Sequence, residues 1–291
     1  MTSLHTYTLA ITCPDRVGLV AAVSGLIARR GGWILEANHH ADADTGRFFM
    51  RNVIRADSLL RDGARIEDFC AELAELAGRY GMEWRLADSA RRKRMVLLAS
   101  RHDHCLVDVL ARWRAGEFDC EIPLVISNHE ELRSYVEWHG IEYQCVPVPA
   151  EGADRAAAYE RIERLCEQVQ ADVIVLARYM QILPAAFTRR WPGRIINIHH
   201  SFLPSFAGAR PYRQAFERGV KLIGATSHYV TEDLDEGPII EQDVVRIDHG
   251  DAEEDLVRYG RDVERIVLAR ALKYHLEDRV LLNGARTVVF R

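Results

Sequence analysis

The chain has 291 residues, 48% of them of hydrophobic type, which is enough for two packed domains and excludes a disordered polymer. Its formal net charge of −5 is spread without a long run of one sign, arguing against a nucleic-acid tail or a polybasic membrane anchor. The first residues lack a secretion signal, and no stretch approaches the ~20 apolar residues that cross a bilayer. Six scattered cysteines form no Cys-x-x-Cys pair, so a cytoplasmic chain with reduced, mostly buried thiols is expected.

In chain order, Tyr7, Leu9 and Ile11 alternate with Thr6, Thr8 and Ala10, the pattern of a strand with one buried face. A turn at Cys13 to Gly18 follows. Val20, Val23, Leu26 and Ile27 then recur at helical spacing until Gly31-Gly32 ends the helix. Strands are predicted at Trp33 to His39 and Phe48 to Ile54, joined by a hairpin loop at Asp42 to Gly46. Ile66, Phe69, Cys70, Leu73, Leu76 and Tyr80 mark a second helix, and Met82 to Leu86 a last strand. Strand, helix, strand, strand, helix, strand is the ferredoxin-like arrangement, expected over residues 1–86.

Residues 87–93 are short, polar and charged and read as a linker; Arg91 to Arg94 is the densest basic cluster and reads as part of it. From residue 94 to 291 the rhythm changes. Continuous apolar runs at Met95 to Ala99, Ile122 to Ile126, Val173 to Leu176 and Arg194 to Ile198 fit strands covered on both faces. Helical patterns separate them, notably Arg155 to Gln170, so an α/β domain with a mostly parallel, Rossmann-like sheet is predicted. Glu253 to Leu276 reads as one long amphipathic helix. Val280 to Phe290 reads as a hairpin about Asn283-Gly284, a dipeptide suited to a type I′ turn.

The densest polar constellation begins at Asn197-Ile198-His199-His200-Ser201. Residues i and i+2 of a strand face the same way, about 6.6 Å apart, so Asn197 and His199 project together. The carboxyl end of a parallel strand is where open sheets place ligands, and an amide beside an imidazole can donate to a developing oxyanion. The same pair also fits a loop-capping amide and a satisfied core histidine. Downstream, Asp235 lies in a loop closed by Gly237-Pro238, where a carboxylate could orient water or take its proton, or could simply be a turn residue. His102-x-His104-Cys105 invites a metal reading. No second ligand pair at zinc spacing accompanies it, and the expectation is loop or helix-start residues with no metal and no cofactor.

Ile-Asn-Ile-His at 196–199 with Ser201-x-Leu203-Pro204, followed by Leu234-Asp235-x-Gly237-Pro238-Ile239-Ile240, resembles the 10-formyltetrahydrofolate-dependent formyltransferase family. The wider match from His199 to Phe206 with Gly208-Ala209-Arg210-Pro211-Tyr212 resembles its deformylase branch. Pro14-Asp15-Arg16-Val17-Gly18-Leu19-Val20 resembles the amino-acid-binding ACT domain that this branch carries. The resemblance implies that Asn197 and His199 polarise a formyl oxygen and that Asp235 orients water. It implies a folate wall of Arg178, Tyr179, Met180, Gln181, Ile182 and Leu183, closed by Thr231 and Gly237 and supported by His228. The implied reaction is hydrolysis of 10-formyltetrahydrofolate, supplying formate for purine biosynthesis and balancing folate pools. For the N-terminal domain it implies a glycine or methionine effector held by Asp15, Arg16, Val17 and Gly18, with Asn38 from a neighbouring copy, in a dimer or tetramer. The domain could instead serve only oligomerisation.

The family's phosphate-binding members carry a glycine- and serine-rich loop after the first strand of the catalytic domain. The matching Ser100-Arg101-His102-Asp103-His104-Cys105-Leu106 contains no glycine, and Asp103 would repel a phosphate. Water is therefore the expected acceptor, and formyl transfer to an amine the alternative. A non-catalytic folate- or amino-acid-binding regulator is a third reading, disfavoured by the intact Asn/His/Asp set.

Overall fold

A computed structural model describes residues 4–60, 63–205 and 211–291. Phe206 and Gly208 to Arg210, part of the motif quoted above, lie outside them. The chain divides into two compact units, residues 1–92 with 277–283 and 288–291, and residues 93–276 with 284–287.

The first unit follows the predicted order: β1 (Thr6–Pro14), α1 (Leu19–Arg29), β2 (Ile34–Asp42), β3 (Arg47–Arg55), a short α2 (Ala56–Leu59), α3 (Ile66–Tyr80) and β4 (Glu83–Asp88). Its four strands are antiparallel in the order β2-β3-β1-β4, the ferredoxin-like sheet. Alternation decides which side chains are covered. Leu9, Ile11, Met50 and Ile54 face the helices, where Val23, Leu26, Ile27, Phe69 and Leu73 complete the core. Gly32 is required by proximity, because a Cβ there would collide with Ile27 and Leu59. The register Thr8↔Ala87 and Tyr7↔Asp88 carries β4 two residues into the expected linker, which shortens to Ser89–Arg92.

The second unit begins with β5 (Lys93–Ala99), α4 (His104–Arg114), β6 (Cys120–Ser127), α5 (Arg133–Trp138), β7 (Glu142–Cys145) and α6 (Ala153–Gln168). It continues with β8 (Val173–Ala177), α7 (Ala185–Arg190), β9 (Ile195–His199), α8 (Pro211–Arg218), β10 (Leu222–Tyr229), β11 (Ile239–Arg246) and α9 (Glu253–Leu276). The seven strands run β11-β10-β9-β8-β5-β6-β7. From β9 to β7 neighbouring strands are parallel; β10 is antiparallel to both of its neighbours. The α/β expectation holds. Val96, Leu98, Ile126, Ile174 and Leu176 pack against Tyr159, Ile162 and Cys166 of α6. On the other side α9 packs against β9, β10, β11 and α4. Among the described residues no helix is long and apolar enough to cross a membrane.

The chain ends in a hairpin of β12 (Val280–Asn283) and β13 (Arg286–Val289). Its turn differs from expectation. The two loop residues are Gly284 and Ala285, and only Gly284 among Asn283, Gly284 and Ala285 has positive φ (61°), whereas a type I′ turn centred on Asn283-Gly284 needs both central residues there. Asn283 closes the strand instead, its Nδ2 donating to Asp42 Oδ2 at 2.5 Å. Leu281 and Phe290 pack on Ala10 and Phe49, on the sheet face of the first unit away from its helices. These C-terminal residues thus complete a core begun at the N-terminus, although sequence order placed them in the 94–291 domain.

Candidate active site

Strand alternation puts Asn197 and His199 on one face of β9, at its carboxyl end. The antiparallel partner β10 brings His228 directly opposite Asn197 and Thr226 opposite His199. Asp235 comes from the loop between β10 and β11, where it takes a left-handed backbone (φ 58°) that aspartate tolerates better than most residues. Two residues later Gly237 lies so close to β10 that any Cβ would strike the carbonyl of Tyr229. The loop therefore rests against the strand and delivers its carboxylate inward.

Distances define the centre. His199 Nδ1 stands 3.3 Å from Asp235 Oδ2, and His228 Nε2 stands 3.7 Å from Oδ1. Asn197 Nδ2 lies 3.2 Å from His228 Nε2, and His228 Nδ1 lies 2.9 Å from the carbonyl oxygen of Tyr229. A carbonyl only accepts, so His228 Nδ1 carries the proton; in the neutral ring Nε2 accepts one of the two hydrogens of the Asn197 amide. By the same logic His199 Nδ1–H points at the carboxylate. Burial by itself would raise the Asp235 carboxyl, but the hydrogen bond from His199, with the His228 ring close by, prevails and holds it well below the usual carboxylate range. Asp235 is a fixed negative charge. His199 is buried, and its other nitrogen, Nε2, has no hydrogen-bond partner. Once the ring is protonated, that unpartnered nitrogen can donate, as can the second hydrogen of the Asn197 amide two positions earlier on the strand.

The other expected site residues separate. Met180 and Ile182 point outward, 52% and 61% exposed, as do Phe202 and Leu234 on the loops after β9 and β10. They supply the apolar faces that a flat heterocycle can lie on. Tyr179 and Leu183 instead turn into the core under α6, and Gln181 is half-buried with Arg155 Nη1 3.5 Å from its Oε1. Arg178 is buried and reaches Glu264 of α9, with Nε 3.3 Å from Oε2, rather than the surface. Thr231 is exposed and Gly237 buried. In the first unit Asp15, Arg16, Val17 and Gly18 form an exposed turn at the start of α1, with Gly18 at φ 94°, and Asn38 lies half-buried on β2.

Around Glu264 is a cluster that sequence reading missed. His104, first residue of α4, sets Nε2 2.8 Å from Glu264 Oε2, and the Tyr212 hydroxyl of α8 donates to Oε1 at 2.5 Å. Although burial opposes its ionisation, the His104 hydrogen bond and then the charge of Arg178 hold the Glu264 carboxyl low. His104, Cys105 and Glu264 could gather metal-ligating atoms within 4.8 Å of one another. Their chemistry does not suit a cation: burial keeps the Cys105 thiol protonated, and the Arg178 guanidinium already faces the carboxylate. The one advance signal was His104 at a helix start; its partner 160 residues away carried none.

A mostly parallel sheet with an amide, an imidazole and a carboxylate gathered at the carboxyl end of one strand is the arrangement expected of an enzyme acting on a carbonyl carbon. Residues 93–272 match the Formyl transferase family. The formyltetrahydrofolate deformylase of Synechocystis sp. (strain ATCC 27184 / PCC 6803 / Kazusa) is 47% identical over 286 residues, 98% of each chain. The crystal structure of a formyltetrahydrofolate deformylase from Pseudomonas syringae pv. tomato superimposes with a TM-score of 0.96 at 56% identity, covering 100% of this chain and 96% of that one. The Burkholderia mallei deformylase structure gives 0.92 at 44% identity over 99% and 100%. The chain belongs to the formyltetrahydrofolate deformylase family.

Proposed function

We propose that this chain hydrolyses 10-formyltetrahydrofolate to formate and tetrahydrofolate in the cytoplasm, with Asn197, His199 and Asp235 performing the chemistry and formate feeding purine biosynthesis. The observation that carries the roles is the polarity of His199: Nδ1 is held by Asp235 while Nε2 is buried with no partner. The formyl oxygen takes hydrogen bonds from the free Asn197 amide hydrogen and, once the ring is protonated, from His199 Nε2–H. Asp235 stabilises that imidazolium through Oδ2 and orients the attacking water through Oδ1.

Water adds to the formyl carbon, the C=O electrons move onto oxygen, and two donors bind the oxyanion. Each such donor contributes about 3–4 kcal/mol where measured. As the C–N10 bond breaks, His199 Nε2–H gives its proton to N10, and the proton lost by water passes along Asp235 to solvent, which reprotonates His199, giving formate and tetrahydrofolate. Because Asp235 stays strongly acidic, it steers the proton rather than storing it. Met180 and Ile182 hold the pterin faces.

The turn at Asp15 to Gly18 opens α1, whose first N–H groups suit the carboxylate of a glycine or methionine effector, with Asn38 of a second copy completing the site in a homo-oligomer. The test is formate release from 10-formyltetrahydrofolate with no added amine, repeated with each amino acid. Strict dependence on an amine acceptor would refute hydrolysis.

A further inference from the structure

In an open α/β sheet the ligand crevice lies outside the strand ends where strand order reverses. Here the chain runs β5-β6-β7 to one side of β5 and β8-β9 to the other, so the reversal falls between β5 and β8. The loops after those two strands flank the crevice, next to the strand that carries His199. A second substrate approaching the formyl carbon from within the sheet's own crevice would have to sit there.

Buried side chains occupy the ground between those loops. Ser100, directly after β5, accepts from the Met180 amide at 3.0 Å and donates to Asn128 at 2.7 Å, stitching the two loops together. Arg178, directly after β8, takes a left-handed backbone (φ 61°) that an arginine rarely adopts, and this directs its buried side chain to Glu264. His104 caps the same carboxylate from the β5 side and Tyr212 from α8. Gly260, one helical turn before Glu264, has no side chain because Tyr212 occupies that place. The knot reaches the catalytic face through His200, whose ring stands 6.2 Å from Tyr212 and 5.0 Å from His199.

We propose that the Arg178–Glu264–His104–Tyr212 knot is the specificity-determining element of this enzyme: it plugs the acceptor crevice, so only a molecule the size of water reaches the formyl carbon. The inference rests on the hydrolytic reading above. Glycine is the residue at 178 that removes the plug and relieves the positive φ together, and Glu264→Gln then removes the charge that Arg178 balanced. In the opened crevice an amine nitrogen attacks the formyl carbon, the C–N10 bond breaks, and the amine proton passes to N10, leaving an N-formyl product and tetrahydrofolate.

The experiment supplies 10-formyltetrahydrofolate with O-benzylhydroxylamine, a bulky nucleophile that is uncharged at neutral pH. It measures N-formyl product and formate in parallel, corrected for the enzyme-free reaction, for the wild type, Arg178→Gly and Arg178→Gly/Glu264→Gln. The expected result is formate alone from the wild type and at least a tenfold rise in the N-formyl to formate ratio in a variant that folds by circular dichroism. A folded variant of either kind that consumes the folate with a ratio within threefold of wild type overturns the proposal. The wild type is also run with no amine added, and absence of formate in that arm overturns the hydrolytic reading instead, so the two failures are distinct.

Discussion

Substituting alanine for Gly237 tests the proposed catalytic geometry without changing any of the three side chains proposed to do the chemistry. A Cβ there meets the Tyr229 carbonyl, 2.9 Å from its carbon and 3.4 Å from His228 Nδ1. The carbonyl oxygen is nearer still, so restoring ordinary van der Waals contact moves the loop or the strand by more than about 1 Å. Either displacement is harmful. The loop carries Asp235, whose oxygens lie 3.3 Å from His199 and 3.7 Å from His228; the same Tyr229 carbonyl accepts from His228, which in turn receives Asn197. A misplacement of about 1 Å in a reacting group costs on the order of 10²-fold in rate. The expected outcome of Gly237→Ala is therefore a kcat for formate release lower by about 10²-fold, with a smaller change in KM for the folate, because Met180 and Ile182 stay in place and only Leu234 moves with the loop. Steady-state formate release with a thermal melt of the same preparation reads both. A folded Gly237→Ala protein with kcat within threefold of wild type would refute the idea that this close approach sets the carboxylate.

Asn197→Ala removes one of the two proposed oxyanion donors and is expected to lower kcat by about 10²–10³-fold with KM nearly unchanged; a change confined to a higher KM would assign the amide to binding. Asp235→Asn, which keeps shape but loses charge, is expected to cost about 10²–10⁴-fold in kcat, and an unchanged kcat would remove the carboxylate from the mechanism. Burial, followed by the positive charge of Arg178 and the neighbouring His199 ring, pushes the His200 ring down to about 4. The unfolded chain, titrating near 6.5, then binds more protons between those values, so stability falls as pH drops through 6.5 toward 4, by about 2 kcal/mol at pH 5. Urea unfolding at pH 7 and pH 5 should show this slope in the wild type and a flatter one in His200→Gln; equal slopes would contradict it. Phe290→Ala empties a site against Ala10, Phe49 and Leu281 and is expected to destabilise the first unit by about 3 kcal/mol, lowering its melting temperature. An unchanged melt would mean that the C-terminal residues add nothing to that core.

Local periodicity by itself settled a great deal of this protein. Alternation at Thr6 to Ile11, apolar runs such as Met95 to Ala99, and the 3.6-residue stripe of Glu253 to Leu276 are short-range consequences of backbone geometry, so they could be read without knowing what each element packs against. Asn197 and His199 were legible as a pair for the same reason, being two apart on one strand. Asp235 was legible as a candidate through its Gly-Pro-closed loop and the family resemblance, but its approach to His199 depends on the contact of Gly237 with Tyr229. What only the tertiary structure decided involves partners far apart in sequence. Glu264 meets His104 across 160 residues, the Asn283 amide meets Asp42 across 241, and Arg178 turns inward because a buried carboxylate waits for it on another helix. No window of sequence encodes such pairings, because the side chain's own neighbours do not choose its partner. The fold does, by bringing charges out of water together, where each must find the other or leave its ionisation uncompensated.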